Sequence, residues 1–101
     1  MKIKVAATQM SCDWEIENNI KKSINLIEKA AEQGANIILL QELFQTPYFC
    51  IQYDEEIFKL AQTFENNSLI NKMSEVAKKH KVVLPISFFE KDNNAYFNSI
   101  A

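Results

Sequence analysis

Ile37-Ile38-Leu39-Leu40 is the segment that most restricts what this chain can become. An apolar run this short cannot make a helix, and it is too uniformly apolar for a strand with one wet face. It reads as a central parallel strand buried on both faces. A parallel strand needs a crossover, and one lies directly upstream. Ile16, Ile20, Ile24, Ile27 and Ala31 recur every three or four residues, the stripe of an amphipathic helix over residues 15–33. Glu15 and Glu17 stand in its first turn, where the helix dipole favours anions. Gly34 follows its last turn, the position where a left-handed residue commonly ends a helix. Residues 3–9 before it alternate Ile3, Val5, Ala7 against Lys4, Ala6, Thr8, a first strand. Strand, helix and strand make a βαβ unit, so the fold class is α/β.

Further along, residues 41–52 form a loop around Pro47, and Asp54 to Phe64 carries a modest helical pattern. Asn66-Asn67-Ser68 is a break and an N-cap for a second helix over 68–80, striped by Leu69, Met73, Val76 and Ala77. Lys78, Lys79, His80 and Lys81 crowd its C-terminal end, where cations are favoured. His80 reads there as a helix-end or surface group. Residues 82–89 predict a third strand despite Pro85, which cannot donate to a ladder. A polar turn at 90–94 leads to a fourth strand, 95–101, paired with the third as an antiparallel hairpin. The four strands are expected in one sheet, with both helices on the same face. An apolar strand interrupted at Ala101 reads as a fragment of a longer domain.

Composition excludes several classes. Gly34 is the only glycine, which removes dinucleotide and P-loop phosphate cradles, since both need several. A lone histidine removes multi-histidine zinc sites. All 11 basic residues are lysines and the net charge is −2, so nothing favours nucleic acid or an anionic membrane. Cys12 and Cys50 have no metal or CxxC spacing and read as reduced thiols. With no apolar leader or spanning segment, the expected location is cytoplasmic.

Glu42 is the sharpest local anomaly, a carboxylate directly after the buried strand. Ligands bind at the carboxyl ends of strands in open parallel sheets, and a partly desolvated carboxylate there suits a general base. The alternative is a strand-end glutamate that caps a helix or pairs with a lysine. Tyr48 and Phe49, in the loop beside it, either wall a substrate pocket or fold back onto the core. Cys50 has no nearby base to activate it as a nucleophile. Asp54-Glu55-Glu56 is a solvated helix start or part of an electronegative rim.

The stretch Gly34-Ala35-Asn36-Ile37-Ile38-Leu39-Leu40-Gln41-Glu42-Leu43-Phe44, continued by Thr46-Pro47-Tyr48-Phe49-Cys50, resembles the catalytic-glutamate segment of the carbon–nitrogen hydrolases, the nitrilase superfamily. The strand Val5-Ala6-Ala7-Thr8-Gln9-Met10 fits the opening of that family. Val82-Val83-Leu84-Pro85-Ile86-Ser87-Phe88-Phe89-Glu90 and Tyr96-Phe97-Asn98-Ser99-Ile100-Ala101 are similar to its N-carbamoylputrescine amidase branch. Pro85 is then a family feature of the third strand.

The resemblance implies that residues 1–101 are the N-terminal part of one α-β-β-α sandwich domain. It implies a Cys-Glu-Lys catalytic set in which Glu42 is the general base and proton acceptor. The lysine and cysteine motifs would follow Ala101, so this chain alone is expected to hydrolyse nothing. Cys12-Asp13-Trp14 is superficially like the nucleophile's surroundings but precedes the first helix and takes no such role. The implied reaction converts N-carbamoylputrescine to putrescine, CO2 and ammonia. It needs no metal or cofactor, and its partner is a small-molecule N-carbamoyl amine, with a homo-oligomer at full length. The competing readings are another amidase of the superfamily, a β-ureidopropionase or ω-amidase, and a non-catalytic α/β binding module.

Overall fold

A computed structural model describes residues 1–51 and 54–101. Strand β1 (Val5–Ala7) leads into helix α1 (Ile16–Glu32), and strand β2 (Ile37–Leu39) returns parallel to β1 with Val5 opposite Ile37 and Ala7 opposite Leu39. The pairing runs past the named strands at both ends, since Asn36 N donates to Lys4 O and Thr8 N to Leu39 O. The expected βαβ unit is therefore present. The loop expected over 41–52 includes one short 3-10 turn, Phe49–Ile51, and its last residue, 52, lies outside the described residues.

Local chemistry sets the helix ends. Glu15 is the first capping position of α1 but offers no side-chain bond; Asp13 Oδ1 instead accepts from Glu15 N at 2.8 Å. Gly34 has φ +89°, the left-handed region that glycine enters at least cost. A Cβ there would meet only Lys4 Cδ at 3.9 Å, so backbone conformation and not space asks for glycine. Helix α2 (Ser68–His80) is capped by Asn67, whose Oδ1 accepts from Leu69 N and Ile70 N at 3.0 and 3.2 Å. His80 ends α2 with Nε2 3.9 Å from Glu28 Oε1 of α1.

Both helices lie on one face of the β1–β2 pair. Ile20 and Ile27 of α1 and Leu69 and Met73 of α2 share one buried cluster with Ile38, Leu40, Phe44, Ile86 and Phe88. The opposite face is open, which corrects the expectation that β2 is buried on both sides. Ile38 and Leu40 are buried, whereas Leu39 is 49% exposed, beside Val5 at 68% and Val83 at 60%. Side chains alternate across a strand, so helices packed on one face shield only every second residue of even a fully apolar run.

The second half departs from the expected single sheet. Val83 extends the β1–β2 pair by one parallel bridge to Ile37: Val83 N donates to Asn36 O at 2.9 Å and Ile38 N to Val83 O at 3.0 Å. Pro85 then follows, without an N–H to continue the ladder. The chain re-forms as strand β3 (Ser87–Asp92), antiparallel to β4 (Ala95–Ile100), rather than running as one strand over 82–89. The described residues thus hold two two-stranded ladders instead of one four-stranded sheet. The turn tightens to Asn93-Asn94, with Asn93 at φ 55°, so pairing extends through Lys91 and Asp92. Asp54 to Phe64 also differs, as a 3-10 run (Glu55–Leu60) capped by Asp54, after which Gln62 pairs with β3. No helix among the described residues is long and apolar enough to cross a membrane.

Ile27 sits in the cluster with no exposed area, while Leu39 faces outward. Ile27→Ala should therefore lower unfolding free energy by about 2–5 kcal/mol. Leu39→Ala should change it by about 0.5 kcal/mol or less. Urea unfolding of the two variants beside the parent chain checks the contrast.

Candidate active site

The end of β2 is held from several sides. Gln41 Oε1 accepts from Met10 N at 2.8 Å, and Gln41 Nε2 donates to Cys12 Sγ at 3.3 Å. The Cys12 thiol donates in turn to Phe44 O at 3.2 Å. Buried Asn19 of α1 accepts from Asp13 N and donates to Asp13 O and Gln45 O. Strand β1, the loop after it and helix α1 therefore all grip residues 41–45.

Glu42 projects from this braced end. Its side chain is exposed, so these residues do not themselves supply the desolvation expected of it. Asn98 Nδ2 donates to Glu42 Oε1 across from β4. Among the described residues the carboxylate caps no helix and pairs with no lysine. Glu42 shares a cavity of about 350 Å³ with Leu39, Leu40, Pro85, Ser87, Asn98 and Ile100.

The next residue is conformationally unusual. Leu43 is buried at 4% exposure with φ 50°, a region that costs a non-glycine residue roughly 1–2 kcal/mol. Its N–H donates to Ser87 Oγ at 2.9 Å, inside the protein. The sequence carried no signal for these contacts beyond the presence of Ser87 and Asn98 in the β3 and β4 segments.

Tyr48 and Phe49 diverge. Phe49 is buried, its ring 5.0 Å from Phe89, yet it also lines a second cavity of about 440 Å³. Phe49 thus folds back onto the core and at the same time borders a cavity. Cys50, Asp54, Glu55, Ile57, Phe58 and Phe89 complete that cavity. Phe58 and Phe89 pack on Tyr96, at 4.7 and 5.8 Å. Tyr48 is exposed. Hydrogen bonding to Cys50 first, then the negative charge available at Cys50 and Glu42, push its phenol above the usual range. Tyr48 therefore stays a neutral hydrogen-bond donor through the physiological range. Among the described residues, no group of three or more His, Cys, Asp or Glu side chains is placed to hold a metal ion.

Comparison with known proteins matches residues 4–101 to the carbon–nitrogen hydrolase family model. An N-carbamoylputrescine amidase of Arabidopsis thaliana is 42% identical over 99 residues, covering 98% of this chain and 33% of that protein. A citrullinase of Francisella tularensis is 41% identical over 99 residues, covering 98% of this chain and 35% of that protein. The crystal structure of a carbon–nitrogen hydrolase from Helicobacter pylori G27 superposes with TM-score 0.81 at 28% identity, over 97% of this chain and 34% of that one. The chain spans about a third of the length of the curated relatives it matches.

The two thiols differ in environment. Burial, before the opposing pull of Lys22, holds the Cys12 thiol above its ordinary range, whereas Cys50 is exposed. Timed alkylation with iodoacetamide at pH 8, read by peptide mass spectrometry, should modify Cys50 about tenfold or more faster than Cys12.

Proposed function

This chain belongs to the carbon–nitrogen hydrolase family, and from that premise we propose that the whole protein is a thiol amidase acting on N-carbamoyl amines, with Glu42 as its general base. The placement of Glu42 carries the reading. It stands three residues past the carboxyl end of β2, its carboxylate tethered by Asn98 and opening on the 350 Å³ cavity. A carboxylate with one oxygen engaged by a neutral donor keeps the other free to accept a proton.

In this mechanism a cysteine supplied by the rest of the protein attacks the carbamoyl carbon. Glu42 accepts the thiol proton and delivers it to the leaving nitrogen. It then takes a proton from water as that water attacks the covalent intermediate, and the thiol is restored. A lysine, also from the rest of the protein, stabilises the oxyanion formed in each half-reaction. The net reaction consumes one water per urea group and yields the amine, CO2 and ammonia. For N-carbamoylputrescine the amine is putrescine, which would place the protein in polyamine synthesis.

The second cavity favours a substrate with a cationic tail. Three phenylalanines supply apolar and ring-face contact for an alkyl chain and its ammonium, and Asp54 and Glu55 supply negative charge. Tyr48, whose phenol is acted on by both Glu42 and Cys50, is the donor that would orient the urea group, with Phe49 lining the path of the chain beyond it.

Two measurements on the full-length protein test the proposal. Glu42→Gln keeps volume and hydrogen bonding but cannot accept the thiol proton, so kcat for ammonia release from N-carbamoylputrescine should fall about 10²–10⁴-fold. Unchanged kcat would remove Glu42 from the chemistry. Asp54→Asn with Glu55→Gln retains the Asn-compatible cap at position 54. That double variant should raise KM for N-carbamoylputrescine about three- to tenfold, as the loss of two exposed charge contacts allows. It should leave KM for uncharged N-butylurea unchanged. Equal effects on both substrates would show that the acids do not read the ammonium.

A further inference from the structure

We propose that Ser87 is a positioning residue for Glu42, acting through the backbone of Leu43 to hold the carboxylate in its working orientation. The proposal rests on the reading of Glu42 as the general base.

Among the described residues, four non-glycine residues have positive φ: Leu43, Asn66, Lys81 and Asn93. Three of them have local explanations. Asn66 lies in the break before α2, Lys81 is the left-handed cap that ends α2, and Asn93 is in the hairpin turn. Leu43 differs, being a buried branched apolar residue at neither a helix end nor a hairpin turn. Strain of this kind persists where surrounding contacts enforce it, and it gathers at functional sites. Here it falls on the residue directly after the candidate base.

The enforcing contact is the bond from Leu43 N to Ser87 Oγ, 2.9 Å long between buried residues. The Leu43 N–H lies in the same rigid peptide plane as the Glu42 carbonyl. Fixing that N–H therefore fixes the backbone torsions on either side of the plane, ψ of Glu42 and φ of Leu43. It thereby sets the direction in which the Glu42 side chain leaves the chain. Without the hydroxyl the amide would be buried with no partner, and the turn would relax to find one.

The same hairpin holds the other end of the residue. Ser87 pairs with Ile100, and Asn98 lies two residues back along β4, on the same face as Ile100. One face of the hairpin thus presents Ser87 to the backbone after Glu42 and Asn98 to its carboxylate. A side chain fixed at its root and at its tip cannot swing out of the cavity. A misplacement of about 1 Å is enough to cost on the order of 100-fold in rate, so such a tether acts on kcat.

The test compares Ser87→Thr with Ser87→Val in the full-length protein. The two side chains have the same shape and differ in the hydroxyl, so any packing change is common to both. The cavity beside Ser87 leaves room for the added methyl. With N-carbamoylputrescine, Ser87→Thr should keep kcat within about threefold of the parent. Ser87→Val should lower it about 10–100-fold with KM within about threefold. Hydrogen exchange at the Leu43 amide should quicken at least about tenfold in Ser87→Val and stay slow in Ser87→Thr. Equal kcat in Thr and Val variants, with Glu42→Gln inactive alongside, would overturn the proposal. If Glu42→Gln is fully active, the reading of Glu42 fails separately. The exchange comparison needs no turnover and still decides the clamp: unequal rates support it and equal rates overturn it.

Discussion

Everything in this chain is arranged around β2 having partners on both edges and helices on one face. Its backbone is bonded to β1 on one side and to Val83 on the other, and Ile38 lies beneath α1 and α2 with no exposed area. A strand held on three sides cannot slip by one residue without turning Ile38 outward and Leu39 into the core. That constraint sets the point from which the chain leaves the strand, and Glu42 lies in the turn three residues on. Burial of a few aliphatic side chains is thus the physical origin of a precisely located carboxylate.

Polar contacts then refine what the core sets coarsely. Gln41, Cys12 and Asn19 bind residues 41–45 to β1 and α1, while Ser87 and Asn98 reach in from the hairpin. The buried polar members of this network have partners, as groups removed from water require. At Leu43 the strained turn shows local preference yielding to these contacts. It lies beside the group proposed to move protons, where a fixed direction is worth more than backbone comfort.

The open face of β1, β2 and Val83 belongs to the same logic. Helices cover one side of the pair, and the outward residues Val5, Leu39 and Val83 remain apolar. The chain spans about a third of its relatives' length. The candidate base lies at the edge of this open face, in a cavity bordered by Leu39. The cavity that would hold the substrate's tail lies instead among the aromatic residues of the loop and hairpin.

Sequence alone determined the parts governed by near neighbours. The three-and-four spacing of isoleucines, the glycine after α1 and the asparagine before α2 placed both helices almost to the residue, because amphipathic burial and capping act within a few positions. The apolar run located β2, and the segment following it singled out Glu42 through its family resemblance. Tertiary structure alone decided which side of β2 is covered, since an unbroken apolar run has no alternation from which to read a face. It also decided that residues 82–89 divide at Pro85 into a bridge and a hairpin strand, because a ladder depends on the partner's register. The pairing of Ser87 with Leu43, 44 positions apart, and of Asn98 with Glu42, 56 apart, has no local signature. Such contacts exist only once the hydrophobic core has brought distant segments within hydrogen-bonding range.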